Sequence, residues 1–200
     1  MRPAPVRSVN RTAPEAWQRF STPIGWVGIG WTADGLAGVR MGYATVADLN
    51  SVIGDETVTE IPTWVQRLED RLQAYCAGAA DDFQDVPVAA LWSTEFQRAV
   101  ITALRAVPYG ATTTYRELAA QAGSPGASRA VGQVMATNPV PLVVPCHRVL
   151  GSGGKLGGFS APTGTALKQQ LLSMESEKAT PAAENAPTST RRRTATKEVR

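Results

Sequence analysis

The chain has 200 residues, 43% of them apolar, with five Trp, four Tyr and four Phe. That is enough for one large domain or two small ones with a real core. Two cysteines and one histidine exclude a disulfide scaffold and argue against a structural zinc site, which takes three or four ligands. No apolar run approaches the ~20 residues of a membrane span, and Met1-Arg2-Pro3-Ala4-Pro5 does not lead into a signal peptide. A reducing intracellular compartment, the cytoplasm, is the expectation. The net charge is +3, and Ser176 to Arg200 carries six Lys/Arg against three Glu, so residues 1–175 are formally neutral. Any affinity of the folded part for nucleic acid must then come from a local basic face.

In chain order, residues 1–18 show no periodicity and read as a flexible leader. Val27, Ile29 and Trp31 alternate, Ala33-Asp34-Gly35 turns, and Leu36, Val39 and Met41 follow, which predicts a β-hairpin. Val65, Leu68, Leu72, Tyr75 and Cys76 share one helical face that ends at Gly78, with Cys76 in the core. These elements make residues 19–88 a small α+β domain.

The next unit, 89–175, is mainly helical. Ser93 is placed to cap a helix with Phe96, Val100 and Leu104 inward, stopped by Pro108-Tyr109-Gly110. Helices over about 114–122 and 127–137, across Gly123-Ser124-Pro125-Gly126, form a helix-turn-helix pattern. Most such pairs merely pack a core, so the pattern alone does not establish DNA binding. Val140-Pro141-Leu142-Val143-Val144-Pro145 reads as a buried, strand-like segment. A last helix over about 163–175 turns Leu167, Leu171 and Met174 inward. From 176 to 200 the composition predicts a disordered basic tail.

Cys146 follows that segment and adjoins the only histidine, His147. A rigidly held thiol beside a base is a candidate nucleophile. It could equally be a small buried hydrophobe, and an extended backbone would turn His147 away from it. Lys168 and Glu175 lie seven apart on one helical face. One could favour the thiolate and the other orient His147, although helix charges more often face solvent. Gly151-Ser152-Gly153-Gly154-Lys155 fits neither a phosphate loop nor a dinucleotide fingerprint, because Val149 and Leu156 stand where those patterns need other residues.

Pro145-Cys146-His147-Arg148-Val149 resembles the active-site signature of the O6-alkylguanine-DNA alkyltransferases, the methylated-DNA–protein-cysteine methyltransferases. Further segments resemble that family in order over about residues 92–175. They are Thr94-Glu95-Phe96-Gln97, Val107-Pro108-Tyr109-Gly110 with Thr114-Tyr115, and Ser128-Arg129-Ala130-Val131-Gly132 with Asn138-Pro139. Leu156-Gly157-Gly158-Phe159-Ser160 and Lys168 to Glu175 close the set, and Thr22-Pro23-Ile24-Gly25 is similar to the family's N-terminal hairpin.

The resemblance implies a suicide reaction. An alkyl group would pass from O6-alkylguanine, and in some cases O4-alkylthymine, in double-stranded DNA to Cys146, without a cofactor and as a monomer. It implies that His147, held by Glu175, deprotonates Cys146 through a water, and that Asn138 braces the turn presenting the cysteine. Tyr115 would donate to the guanine ring, and Lys168 would belong to the catalytic set. Arg129, with Ser128 and Ala130 beside it, would enter the duplex as the nucleotide flips out. Met135, Pro141, Val149, Phe159 and Ser160 would line the base pocket. The chain departs from the family at Ile101, where Trp is common, and at Ala161-Pro162-Thr163-Gly164-Thr165, which bears on the pocket's outer wall. Two other classes stay open: a lesion-binding protein that transfers nothing, and a Cys–His hydrolase.

Overall fold

The computed structural model describes residues 13–179, with side chains through Glu177. Most of the leader and most of the tail therefore lie outside the described residues. Three antiparallel strands, β1 (Ala16–Thr22), β2 (Gly25–Thr32) and β3 (Gly35–Tyr43), form a sheet in the order β1-β2-β3. The predicted hairpin is β2–β3. The strand β1 begins at Ala16, inside the stretch read as leader. Only Phe20 of its seven residues is buried, so the alternation that would have marked it is missing. Its Trp17 instead lies flat over the outer sheet face. A Cβ on Gly30 or Gly38 would come within 2.8 Å or 2.6 Å of that indole, so both strand positions need glycine.

Helix α1 (Val46–Ile53), capped by a Thr45–Asp48 box, covers part of the same outer face through Leu49 and Ile53. Helix α2 (Thr63–Cys76) buries the predicted face: Val65, Leu68, Leu72, Tyr75 and Cys76.

The second half is helical: α3 (Glu95–Arg105), α4 (Tyr115–Gln121), α5 (Ser128–Ala136) and α6 (Thr165–Ala179). The cap of α3 is Thr94, not Ser93. The threonine hydroxyl accepts from Gln97, whose side chain accepts in turn from the Thr94 and Ser93 amides. Helix α6 runs to Ala179, past the expected start of the tail at 176. Two short parallel strands, β4 (Thr113–Thr114) and β5 (Val149–Leu150), tie the start of α4 to the chain just after Cys146.

The two halves share one contiguous core, from Val27 and Val39 of the sheet to Val100, Val131, Val144 and Leu171. Polar bonds cross the same boundary. The Val39 amide donates to the Pro139 carbonyl at 2.7 Å, and Arg105 caps the carbonyls of Phe83 and Gln84 at 2.9 Å each. No helix among the described residues is long and apolar enough to cross a membrane.

Candidate active site

The segment expected to be a strand is a pair of tight turns. Pro141 and Pro145 each remove a backbone donor, so the segment cannot pair as a central strand. The Val144 amide closes back on the Val140 carbonyl at 3.0 Å, and Leu142 sits at φ 71°. A bulky residue in the left-handed region is strained, at a cost of about 1–3 kcal/mol. Pro145, at φ −79° and ψ 63°, makes an inverse γ-turn in which the Cys146 amide donates to the Val144 carbonyl at 2.8 Å. Asn138 pins both turns. Its Nδ2 donates to the Val144 carbonyl at 2.9 Å and its Oδ1 accepts from the Val140 amide at 3.1 Å. Cys146, His147 and Arg148 then form one turn of 3-10 helix, so the backbone at the cysteine is not extended.

All three of those side chains are buried, and so are Lys168 and Glu175 from α6. Glu175 is the hub. Its Oε1 accepts from His147 Nε2 at 2.9 Å, Arg148 Nη2 at 2.8 Å and the Tyr75 hydroxyl at 2.5 Å. Its Oε2 accepts from Arg148 Nε at 3.0 Å and the Gly110 amide at 3.1 Å. Burial alone would raise this carboxyl, but the donors outweigh it and hold it well below the usual carboxylate range. An ionised carboxylate only accepts, so His147 carries its proton on Nε2. That leaves His147 Nδ1 with a free lone pair, buried and without a hydrogen-bond partner among the described residues. Burial also lowers the His147 pKa below the ordinary 6.5 more strongly than Glu175 raises it, so the imidazole is neutral at pH 7.

Burial pushes the Cys146 thiol up, against the opposing pull of Asn138 and the Lys168 charge. The resting group is therefore a thiol that needs a base at the moment of attack. Lys168 Nζ donates to the Val149 carbonyl at 2.7 Å. Burial lowers its pKa, and a thiolate at Cys146 would raise it again.

Cys146 opens onto a hollow of about 180 Å³ shared with Tyr115, Met135, Phe159 and Ser160. Tyr115 stands at the first residue of α4, where a Thr114–Glu117 capping box and the β4–β5 pairing place it. A Cβ on Gly157 would collide with its hydroxyl. A second hollow, of about 440 Å³, is also lined by Tyr115 and extends to Arg116, Ser128 and Arg129. Arg129 is exposed on the first turn of α5.

Residues 95–177 match the family described as 6-O-methylguanine DNA methyltransferase, DNA binding domain. A methylated-DNA–protein-cysteine methyltransferase of Methanosarcina acetivorans is 38% identical over 162 residues, 78% of this chain and 95% of that protein. The chain belongs to the methylated-DNA–protein-cysteine methyltransferase family. Its fold agrees with that membership. The crystal structure of the O6-methylguanine methyltransferase of Mycobacterium tuberculosis superposes with a TM-score of 0.66 at 36% identity, covering 83% of this chain and 94% of that one. The structure of Mycobacterium tuberculosis OGT in complex with DNA gives 0.64 at 34% identity, covering 81% and 93%.

Most of the residues expected from the family resemblance converge. Cys146, His147, Asn138, Lys168 and Glu175 form one buried cluster, and Tyr115, Met135, Phe159 and Ser160 surround the hollow beside it. Pro141 and Val149 do not line that hollow. Pro141 is buried in the turn, where it bridges to Val144, and the Val149 side chain is buried while its carbonyl holds Lys168. Ala130 is half-buried on α5 and does not line the larger hollow with Ser128 and Arg129.

Sequence reasoning missed two members of the cluster, Arg148 and Tyr75. Arg148 is 1% exposed, grips Glu175, donates from Nη1 to the Val107 carbonyl at 2.7 Å and lies over the Tyr109 ring. Its place in the signature could have flagged it. Tyr75 carried no such mark, because it sits among apolar core positions of a helix in the other half.

Proposed function

We propose that this chain repairs DNA by direct, stoichiometric transfer of an alkyl group from O6 of guanine to its own Cys146. The observation that carries this reading is the buried pair His147–Glu175, which leaves Nδ1 as a base without a hydrogen-bond partner among the described residues, in the residue next to Cys146, which borders a hollow. His147 Nδ1 takes the thiol proton through a water. Glu175 stabilises the imidazolium, and Lys168 stabilises the thiolate. Sγ then bonds to the alkyl carbon as the carbon–O6 bond breaks. The guanine leaves with the bonding electrons and takes up a proton, so the protons balance. The Tyr115 hydroxyl, at the hollow's wall, donates to the ring as negative charge develops there.

Guanine O6 inside a duplex cannot reach the thiol of a buried cysteine, so the nucleotide must leave the stack. Arg129 on α5 fills the gap, and Arg116 and Ser128 beside it hold the phosphates. The division of labour follows the two units. Residues 89–175 bind DNA and transfer the group, and residues 19–88 buttress them. The protein acts as an intracellular monomer on double-stranded DNA.

Duplex DNA carrying a labelled O6-methylguanine tests the reading. Label moves to protein in about equimolar amount and stays there. Cys146→Ala abolishes the movement while leaving DNA binding intact. Turnover beyond one equivalent, or label still moving to Cys146→Ala, overturns the reading.

A further inference from the structure

Tyr75 lies on the apolar face of α2, among Leu68, Leu72 and Cys76, and is 0% exposed. Its ring packs edge-on against Phe83, with centroids 5.4 Å apart, and against Tyr109 at 5.9 Å. A phenylalanine would make the same ring contacts without burying a hydroxyl, which is costly unless bonded. The hydroxyl therefore needs its own explanation. It donates to Glu175 Oε1 at 2.5 Å and lies 3.3 Å from His147 Nε2. Both of those residues come from the other half of the molecule.

We propose that Tyr75 is a positioning residue for the transfer reaction: its hydroxyl, delivered from α2, holds Glu175 Oε1 where His147 Nε2 meets it and limits the basicity of that oxygen. The N-terminal unit thereby completes the proton-accepting pair and is more than a buttress. This rests on the transfer reading above. The groups facing the pair are Tyr75 from α2, Tyr109 and the Gly110 amide after α3, Arg148 from the 3-10 turn, and Lys168 from α6. Arg148 and Gly110 remain on Glu175 when the Tyr75 hydroxyl is removed. The carboxylate thus stays ionised but becomes more basic, and it is held at Oε1 by His147 and Arg148 alone. His147 then takes a proton more readily at any given pH, and the pair loses one fixed contact.

The experiment compares the full chain with Tyr75→Phe, and with Phe83→Leu, which disturbs the packing of the same ring without touching the hydroxyl. Single-turnover transfer is followed against pH. Because His147 is the only histidine, its imidazole signals are read by nuclear magnetic resonance without an assignment problem. Tyr75→Phe slows transfer roughly three- to tenfold at neutral pH, moves the acid limb of the profile to higher pH and shifts the His147 signals. Phe83→Leu lowers stability and leaves both the limb and the signals in place. A Tyr75→Phe protein with the parent's rate, limb and signals overturns the proposal. The same displacement in Phe83→Leu also overturns it, because packing alone would then suffice. If the parent protein moves no label, the transfer reading itself fails, and the His147 signals still decide whether Tyr75 sets the state of the pair.

Discussion

Glu175 takes hydrogen bonds from four residues through two oxygens, and three of those donors are themselves buried side chains. Its charge answers that of Arg148, which has no water to fall back on. Removing one partner of a buried pair leaves an uncompensated charge, which typically costs about 3–5 kcal/mol. Glu175→Gln is therefore expected to lower stability by about that amount in urea denaturation. It also slows transfer, because the amide cannot stabilise an imidazolium at His147. A variant with the parent's denaturation midpoint would show that Arg148 finds another acceptor. At this scale the sequence was half legible. Cys146 and His147 draw notice by type and adjacency, but spacing leaves Cys146 open and Glu175 on a helix face that more often meets solvent, so their expected roles come from the family motifs. Arg148 stands in the signature with no role attached until the fold buries it against Glu175, and Tyr75 reads as core.

The elements matter because they bring distant residues to one place. Tyr115 reaches the hollow because β4 pairs with β5 and Thr114 then starts α4. Gly157 comes close enough to the Tyr115 hydroxyl that no side chain fits between them. Gly157→Ala is expected to displace that hydroxyl and slow transfer by roughly tenfold or more, the scale of losing a transition-state donor. Its denaturation midpoint should stay near the parent's, because Gly157 is only half-buried and its backbone lies outside the left-handed region. Transfer at the parent's rate would mean that Tyr115 can donate from another rotamer.

The elements with clear periodicity were legible from sequence: the β2–β3 hairpin and helices α2, α3, α4, α5 and α6. The strand β1 was not, since its exposed pattern carries no alternation, and helix α1 was missed as well. The apolar character of the 140–145 segment suggests a strand, but its two prolines rule out central pairing. Those prolines make it a turn, and the turn is what orients Cys146.

At the scale of the whole molecule, acid sensitivity follows from the buried site. An unfolded chain binds a proton at His147 near pH 6.5 and at Glu175 near 4.5, whereas the folded chain holds both below those values. Below about pH 6.5 the unfolded state therefore takes up more protons, and stability falls with falling pH. The first part of that loss belongs to His147, the only side chain of its type. Urea midpoints should decline from pH 7.5 to 5.5, and His147→Gln should flatten that decline. A flat parent profile over this range would contradict the buried neutral imidazole.

Composition and spacing by themselves determined the fold class and the helix-turn-helix pattern, and the ordered motifs carried the resemblance that makes Cys146 the expected nucleophile and His147 its expected base. These are properties of residue type and of period along the chain, which sequence carries directly. Tertiary structure decided the protonation states and the membership of the site. A thiol, an imidazole, an ammonium and a carboxylate change character only when burial strips their water and fixes their neighbours. Those neighbours come from positions 75, 110, 138, 148, 168 and 175, and only the folded chain sets them around Cys146 and His147.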